Sequence, residues 1–307
     1  MFKSYLKYLP KSIQLSIFVC LWASFIAIMA AVQPIFIQKL TGLPTEALND
    51  FFQNGLTKFP TTYFLLNFLS SFTMFALPAF IFAYLADPHP LKYLGIQSFN
   101  SIKHTLLIII LAIVLIPLMS SLSGIIRSID LGNQANAMQS NRDAAISLYL
   151  QSGNFMNIIK NVALMALVPA LFEEIIFRGV IQKFVYSFIP KKWISFIIVG
   201  FIFALFHGSI YELLPIMLGS IILSWVYHHT SNLSLCILLH FLNNGIQVVL
   251  ASTAKEINDA TSNETHIGIL LGIFIASLAA SILIMYKIYQ SQQALPKDWN
   301  VQTVKSN

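Results

Sequence analysis

Residues 157–181 read NIIKNVALMALVPALFEEIIFRGVI, and two properties of that stretch decide the fold. At ~1.5 Å per residue it is long enough to cross the ~30 Å hydrocarbon core of a bilayer as a helix. It also carries Glu173, Glu174 and Arg178 within an otherwise apolar run, and ionisable groups inside a membrane helix are costly enough that each needs a partner or a task. Working outward in both directions, seven further apolar segments lie at about 12–37, 62–86, 104–122, 193–210, 213–229, 232–251 and 266–289. The expected fold is therefore all-α, a polytopic membrane protein of about eight transmembrane helices.

Composition supports this and excludes other classes. Of 307 residues 57% are hydrophobic and only 10% charged, against about a quarter charged in soluble domains. A net charge of +6, thinly scattered, gives no nucleic-acid surface. The first apolar run follows Lys3, Lys7 and Lys11 but is too long for a cleaved signal peptide, so it reads as an uncleaved first span. With the N-terminus in the cytoplasm and eight crossings, eleven lysines fall inside against six lysines and arginines outside, with Arg178 left within a helix. That bias follows the positive-inside rule and places both termini in the cytoplasm. Short links near Tyr211-Glu212 and at His228-His229-Thr230-Ser231-Asn232 imply antiparallel hairpins, and the two histidines there read as solvated. Cys20 and Cys236 lie in apolar runs and read as small core residues. The connections at 38–61 and 123–156 are long and polar, and the tail after Gln290 is polar too. The organisation expected is residues 1–150 with three spans and outer loops, a core at 151–290, and a cytoplasmic tail at 291–307.

The candidate chemistry lies on the fourth, fifth and seventh segments. Glu174 and Arg178 are four residues apart and share a helix face, acid before base, so Arg178 is the natural neutraliser of Glu174. Glu173 is rotated by about 100°, and its own four-residue neighbour is Phe177. It is left to act as a base or to hold a proton at raised pKa. The plainer alternative is one buried charge network that fixes helix packing. The fifth segment contributes Phe203 and His207, and the seventh His240 and Asn244, again four apart and on one face. Taken singly, such residues serve as interhelical hydrogen-bond partners. Together they fit hydrolysis by activated water, with Glu173 and His207 deprotonating it and His240 and Asn244 donating to the oxyanion. Counted from the cytoplasmic helix ends, Glu173, His207 and His240 lie ~15, ~21 and ~14 Å deep. His207 is off level unless its helix tilts or ends elsewhere.

These residues resemble the motifs of the CPBP family, the type II CAAX prenyl endopeptidase and bacteriocin-immunity (Abi) group of intramembrane proteases. Glu-Glu-x-x-x-Arg is matched by Glu173, Glu174 and Arg178, Phe-x-x-x-His by Phe203 and His207, and His-x-x-x-Asn by His240 and Asn244. The resemblance covers roughly 157–251. It implies an intramembrane endopeptidase with a catalytic cavity open to the cytoplasm. In it Glu173 and His207 activate water, His240 and Asn244 stabilise the oxyanion, and Glu174, Arg178 and Phe203 support the site. Family members have been described both as glutamate proteases and as metalloproteases. The reading adopted is metal-independent and needs no cofactor; zinc on Glu173, His207 and His240 is the alternative, although the His-Glu-x-x-His helix of most zinc peptidases is absent. The expected partners are the lipid bilayer and a membrane-tethered protein or peptide substrate, with no nucleic acid. The expected location is the plasma (inner) membrane. The competing functions are a non-catalytic immunity or scaffold protein that retains the motifs and, with less support, a transporter using the same groups as a proton relay.

Overall fold

The structure is a computed structural model that describes residues 5–48, 51, 55, 58–99, 101–150, 155–254 and 267–291. Among these there is no strand. The apolar segments form helices at the expected places: α1 Lys11–Thr41, α2 Pro60–Ala86, α4 Ile102–Arg127, α6 Phe155–Phe188, α8 Leu213–Thr230, α9 Leu233–Ala254 and α10 Ile267–Gln290. These seven are long and apolar enough to cross a membrane. The eighth apolar helix, α7 Lys192–Leu205, has only 14 residues. The chain is an integral multi-pass membrane protein. Of the expected cytoplasmic tail, residues 292–307 lie outside the described residues, as do Lys255, Glu256, Asp259 and Glu264 of the last outer connection.

Among the described residues there are two further helices and a 3-10 turn at Thr45–Ala47. Pro90–Leu94 forms α3, and Asn133–Leu150 forms α5, an 18-residue helix within the stretch 123–156 that the sequence suggested as a connection. Its residues are mostly polar and lack an apolar period, which is why pattern reading passed over it. Gly132, at φ +91, makes the bend that precedes it.

Three π-helical turns interrupt the long helices. Those at Phe72–Ala76 and Ala163–Leu167 have one cause. Pro78 and Pro169 lack the N–H that would bond to Met74 and Met165, and their rings crowd those carbonyls, so the preceding turn widens. The third, Phe177–Ile181, has no proline after it. It begins one residue before Arg178, and π turns of this kind recur at functional sites.

The chain divides into two compact units, Met1–Pro90 with Ser140–Ile176 and Asn244–Ser262, and Leu91–Gln139 with Phe177–Asn243 and Asn263–Asn307. In the first, α1 packs on α2 through an edge contact of Phe18 and Phe82, 5.4 Å between centroids. A second core gathers Ile37, Phe51 and Leu66. The part of α6 up to Ile176 lies on α2, with the Phe172 ring set edge-on to both Phe68 and Phe72.

In the second unit α7 and α8 form a tight hairpin. A Cβ at Gly200 would meet the Met217 main-chain oxygen and Ile221 Cγ1 at 3.0 Å each, so glycine sets how closely they approach. α4 runs along both α10 and α8. The segment after α3 is stitched to the α8–α9 turn. Gly95, at φ +83, gives its oxygen to the Leu233 N–H at 2.7 Å, and the Tyr227 hydroxyl donates to the Leu94 oxygen at 2.9 Å. Cys236 is buried, as expected of a core residue, whereas Cys20 is exposed on α1.

Candidate functional site

Four of the seven candidate residues fall in the second unit, and Phe203 gathers them. Its buried ring lies 4.8 Å from the Arg178 guanidinium carbon, 4.9 Å from the His207 ring and 6.1 Å from the His240 ring. Phe177 closes the cluster edge-on at 4.8 Å. A guanidinium above an aromatic face gains electrostatic attraction that strengthens when both are out of water.

Arg178 is wholly buried, and Nη2 donates to Ser220 Oγ at 2.7 Å and to the Ser220 main-chain oxygen at 3.2 Å. Ser220 thus belongs to the support of the motif arginine. Sequence reading missed it, because one serine in an apolar helix carries no signal of its own.

His207 was expected within a helix and lies just past the end of one. α7 stops at Leu205, the N–H groups of His207 and Gly208 bond back to the oxygens of Ala204 and Leu205, and Gly208 takes φ +63. A left-handed glycine after the last turn is a common way to end a helix, and Gly208-Ser209 is the signal that could have placed the boundary.

The four-residue spacing still holds the ring, since His207 Nδ1 lies 2.9 Å from the Phe203 main-chain oxygen. A carbonyl only accepts, so Nδ1 carries the proton and the neutral ring keeps its basic lone pair on Nε2.

The turn that carries His207 is held from below. Glu212 Oε1 accepts from Ser123 Oγ at 2.8 Å and from Arg127 Nη2 and Nε at 2.7 and 3.1 Å. Ser209 Oγ donates to Gln139 Oε1 at 2.7 Å and accepts from the Glu212 N–H at 3.2 Å. The Tyr211 hydroxyl donates to Asn136 Oδ1 and accepts from the Leu131 N–H. Asn136 and the Gly132 N–H both donate to Asp130 Oδ1 at 2.9 Å. These donors, Gly132 first, hold the Asp130 carboxyl below the ordinary aspartate range.

Glu173, Glu174 and Asn244 belong to the first unit. Glu174 is wholly buried, while Glu173 and Asn244 are partly exposed. The two glutamates follow Phe172, whose contacts with Phe68 and Phe72 fix that turn on α2. The α-helical turns of α6 that carry the glutamates end at Ile176, and Arg178 lies in the π turn that follows, whereas α9 is one α-helix through His240 and Asn244, so their one-turn relation stands.

The sequence reading took His228 and His229 as solvated, whereas His229 is buried and His228 half-buried. They form the last turn of α8, with His229 buried against the Trp225 ring at 4.1 Å and the Tyr289 ring at 5.6 Å. The α8–α9 link is only Ser231-Asn232, with Ser231 at φ 51. Among the described residues no three His, Cys, Asp or Glu side chains gather in a group that could hold a metal ion.

The family model Type II CAAX prenyl endopeptidase Rce1-like matches residues 155–246. That segment contains all seven candidate residues, from Glu173 to Asn244, and the resemblance carried by the three motifs is borne out over it. No curated protein and no solved structure matches the chain.

Proposed function

We propose, from the premise that residues 155–246 are a segment of the type II CAAX prenyl endopeptidase kind, that this chain is an intramembrane endopeptidase using water activated by Glu173 and His207. The observation that carries the reading is the arrangement around Phe203. Two imidazoles and a guanidinium meet one buried ring, and one imidazole has its tautomer fixed by a main-chain oxygen.

In this mechanism a water gives one proton to the Glu173 carboxylate, with His207 Nε2 accepting its hydrogen bond. The oxygen attacks the scissile carbonyl carbon, whose π electrons move to oxygen. His240 and Asn244 donate to that oxyanion, each worth about 3 kcal/mol in a dry site. Collapse of the tetrahedral intermediate breaks the C–N bond, and the proton held by the carboxylate passes to the leaving nitrogen. Glu174 and Arg178 support the glutamate turn, and Phe203 packs the imidazoles. The core at 151–290 carries this chemistry in the inner membrane, with both termini cytoplasmic and a membrane-tethered protein or peptide as substrate.

Purified wild type and Glu173→Gln protein, incubated in liposomes with membrane-tethered peptides, test this. The wild type cleaves, folded Glu173→Gln protein does not, and wild-type activity survives a metal chelator. Equal cleavage by both refutes the assignment of Glu173. A wild type that cleaves nothing while still giving its cellular phenotype points to the non-catalytic immunity or scaffold role. Activity lost together with stoichiometric zinc establishes the metalloprotease alternative.

A further inference from the structure

Starting from the motif arginine, α6 and α8 face each other through a ladder of polar side chains. Arg178, Gln182 and Tyr186 recur every four residues on α6, and Ser220, Ser224 and His228 recur every four on α8. The two sets pair rung by rung. Arg178 Nη2 meets Ser220 Oγ at 2.7 Å, Gln182 Nε2 donates to the Ser224 main-chain oxygen at 2.9 Å, and the Tyr186 ring lies edge-on to His228 at 5.3 Å. Eight residues of rise make the ladder ~12 Å long. It runs from the arginine beside Phe203 to the helix ends flanking exposed Lys191 and Lys192.

Its middle is polar beyond what the protein satisfies. Gln182, Ser195 and Ser224 are wholly buried, and among the described residues Gln182 Oε1, Ser195 Oγ and Ser224 Oγ have no hydrogen-bond partner. Ser195 comes from α7, which packs along α8, and its neighbour Phe196 touches His228 edge-on at 5.4 Å. Helix packing alone does not require this composition, since alanine, leucine and methionine would fill the same volumes without orphaned groups. An amide oxygen and two hydroxyls are the partners a buried water takes, as water both donates and accepts in two or more directions.

We propose that this seam between α6, α7 and α8 is a water-binding site, holding ordered water from the Arg178 rung to the lysine end. Its role deepens the hydrolytic reading above and rests on it: each peptide bond cleaved consumes one water, and the seam supplies that water. Gln182, Ser195 and Ser224 are then hydration residues, in contact with water on its way and not with substrate.

The test reads hydration directly, on the full chain in detergent micelles. In protein labelled with nitrogen-15 glutamine, with the Gln182 signal assigned by its loss in Gln182→Leu, the Gln182 side-chain amide shows magnetisation transfer from water. That transfer is lost in the Ser195→Val, Ser224→Val double variant, and in the milder double alanine variant if the first fails to fold. An amide silent to water in folded wild type overturns the proposal, and so does a rise in melting temperature for the double alanine variant, the result expected of a dry seam. For the supply role, turnover in the double variant falls by roughly tenfold at unchanged KM, the order expected from losing one well-ordered bridging water. Unchanged turnover in a variant whose amide has gone silent overturns that role. Failure of the hydrolytic reading is seen separately, as hydration without cleavage by any form.

Discussion

Replacing Ser220 by alanine removes one hydroxyl from a pair whose energetics can be worked out from its geometry. The Ser220 hydroxyl accepts from a guanidinium that is wholly buried, at 2.7 Å, while the main-chain oxygen of the same residue, at 3.2 Å, stays in place. Neutral interhelical hydrogen bonds in membrane proteins average only ~0.6 kcal/mol. Bonds to a charged group contribute ~1.5–3 kcal/mol, because removing one partner leaves the charge desolvated. The charge decides which range applies, and the surviving main-chain contact pulls the value to its lower half, about 2 kcal/mol. At about 2 °C per kcal/mol for a large chain, Ser220→Ala unfolds about 4 °C below wild type in a thermal scan of the purified protein in detergent. Ser220→Thr keeps the hydroxyl and recovers most of the loss. A Ser220→Ala protein that melts with the wild type refutes the reasoning, since Arg178 would then be held without the serine.

Other expectations follow from the same unit. Gly200→Val forces a branched side chain against the Met217 main-chain oxygen, 3.0 Å from the added Cβ, and overpacking of this kind costs ~1–3 kcal/mol; yield of folded protein on size-exclusion chromatography falls, whereas the exposed Gly272→Val change leaves it unaltered. Glu212→Gln weakens the clamp under the His207 turn, but the Arg127 side chain is 41% exposed, so the stability loss in a denaturant scan stays below ~1 kcal/mol while cleavage slows more than stability does. Asp130 is held charged by the Gly132 N–H and Asn136. Its folded pKa is therefore depressed, and its contribution to the turn is present above the unfolded aspartate pKa and lost as pH falls through the folded one; the Gly132 amide resonance reads this as a midpoint below that of an ordinary aspartate.

How much was legible in the sequence depends on what each feature rests on. Long apolar runs fix membrane helices through the length of the bilayer, so α1, α2, α8, α9 and α10 begin and end within a few residues of expectation, while α4 and α6 start as expected and run five and seven residues further, to Arg127 and Phe188. Residues spaced by four gave the Phe203–His207 and His240–Asn244 relations, because that spacing survives wherever the chain is helical or, for His207, where a ring bonds back to the carbonyl four residues earlier. The end of α7 was misread because hydropathy continues through Phe206, whereas the chain turns at Gly208. α5 was missed because a polar helix has no apolar face to count. Ser220, Ser224 and Gln182 were invisible for a different reason: their meaning comes from the helix opposite, and no spacing along one segment encodes a partner forty-two residues away. His228 and His229 were judged by their nearness to a link, but α8 runs on through them and buries His229 against rings from α8 and α10.

The most direct measurement of the central claim is the fate of the water oxygen. A membrane-tethered peptide is cleaved by the purified protein in water enriched in heavy oxygen, and the products are weighed by mass spectrometry. Wild type places a single heavy oxygen in the new C-terminal carboxylate, and folded Glu173→Gln or His207→Ala protein yields no product. Product formed without the label, or formed equally well by either variant, contradicts hydrolysis by water activated at Glu173 and His207.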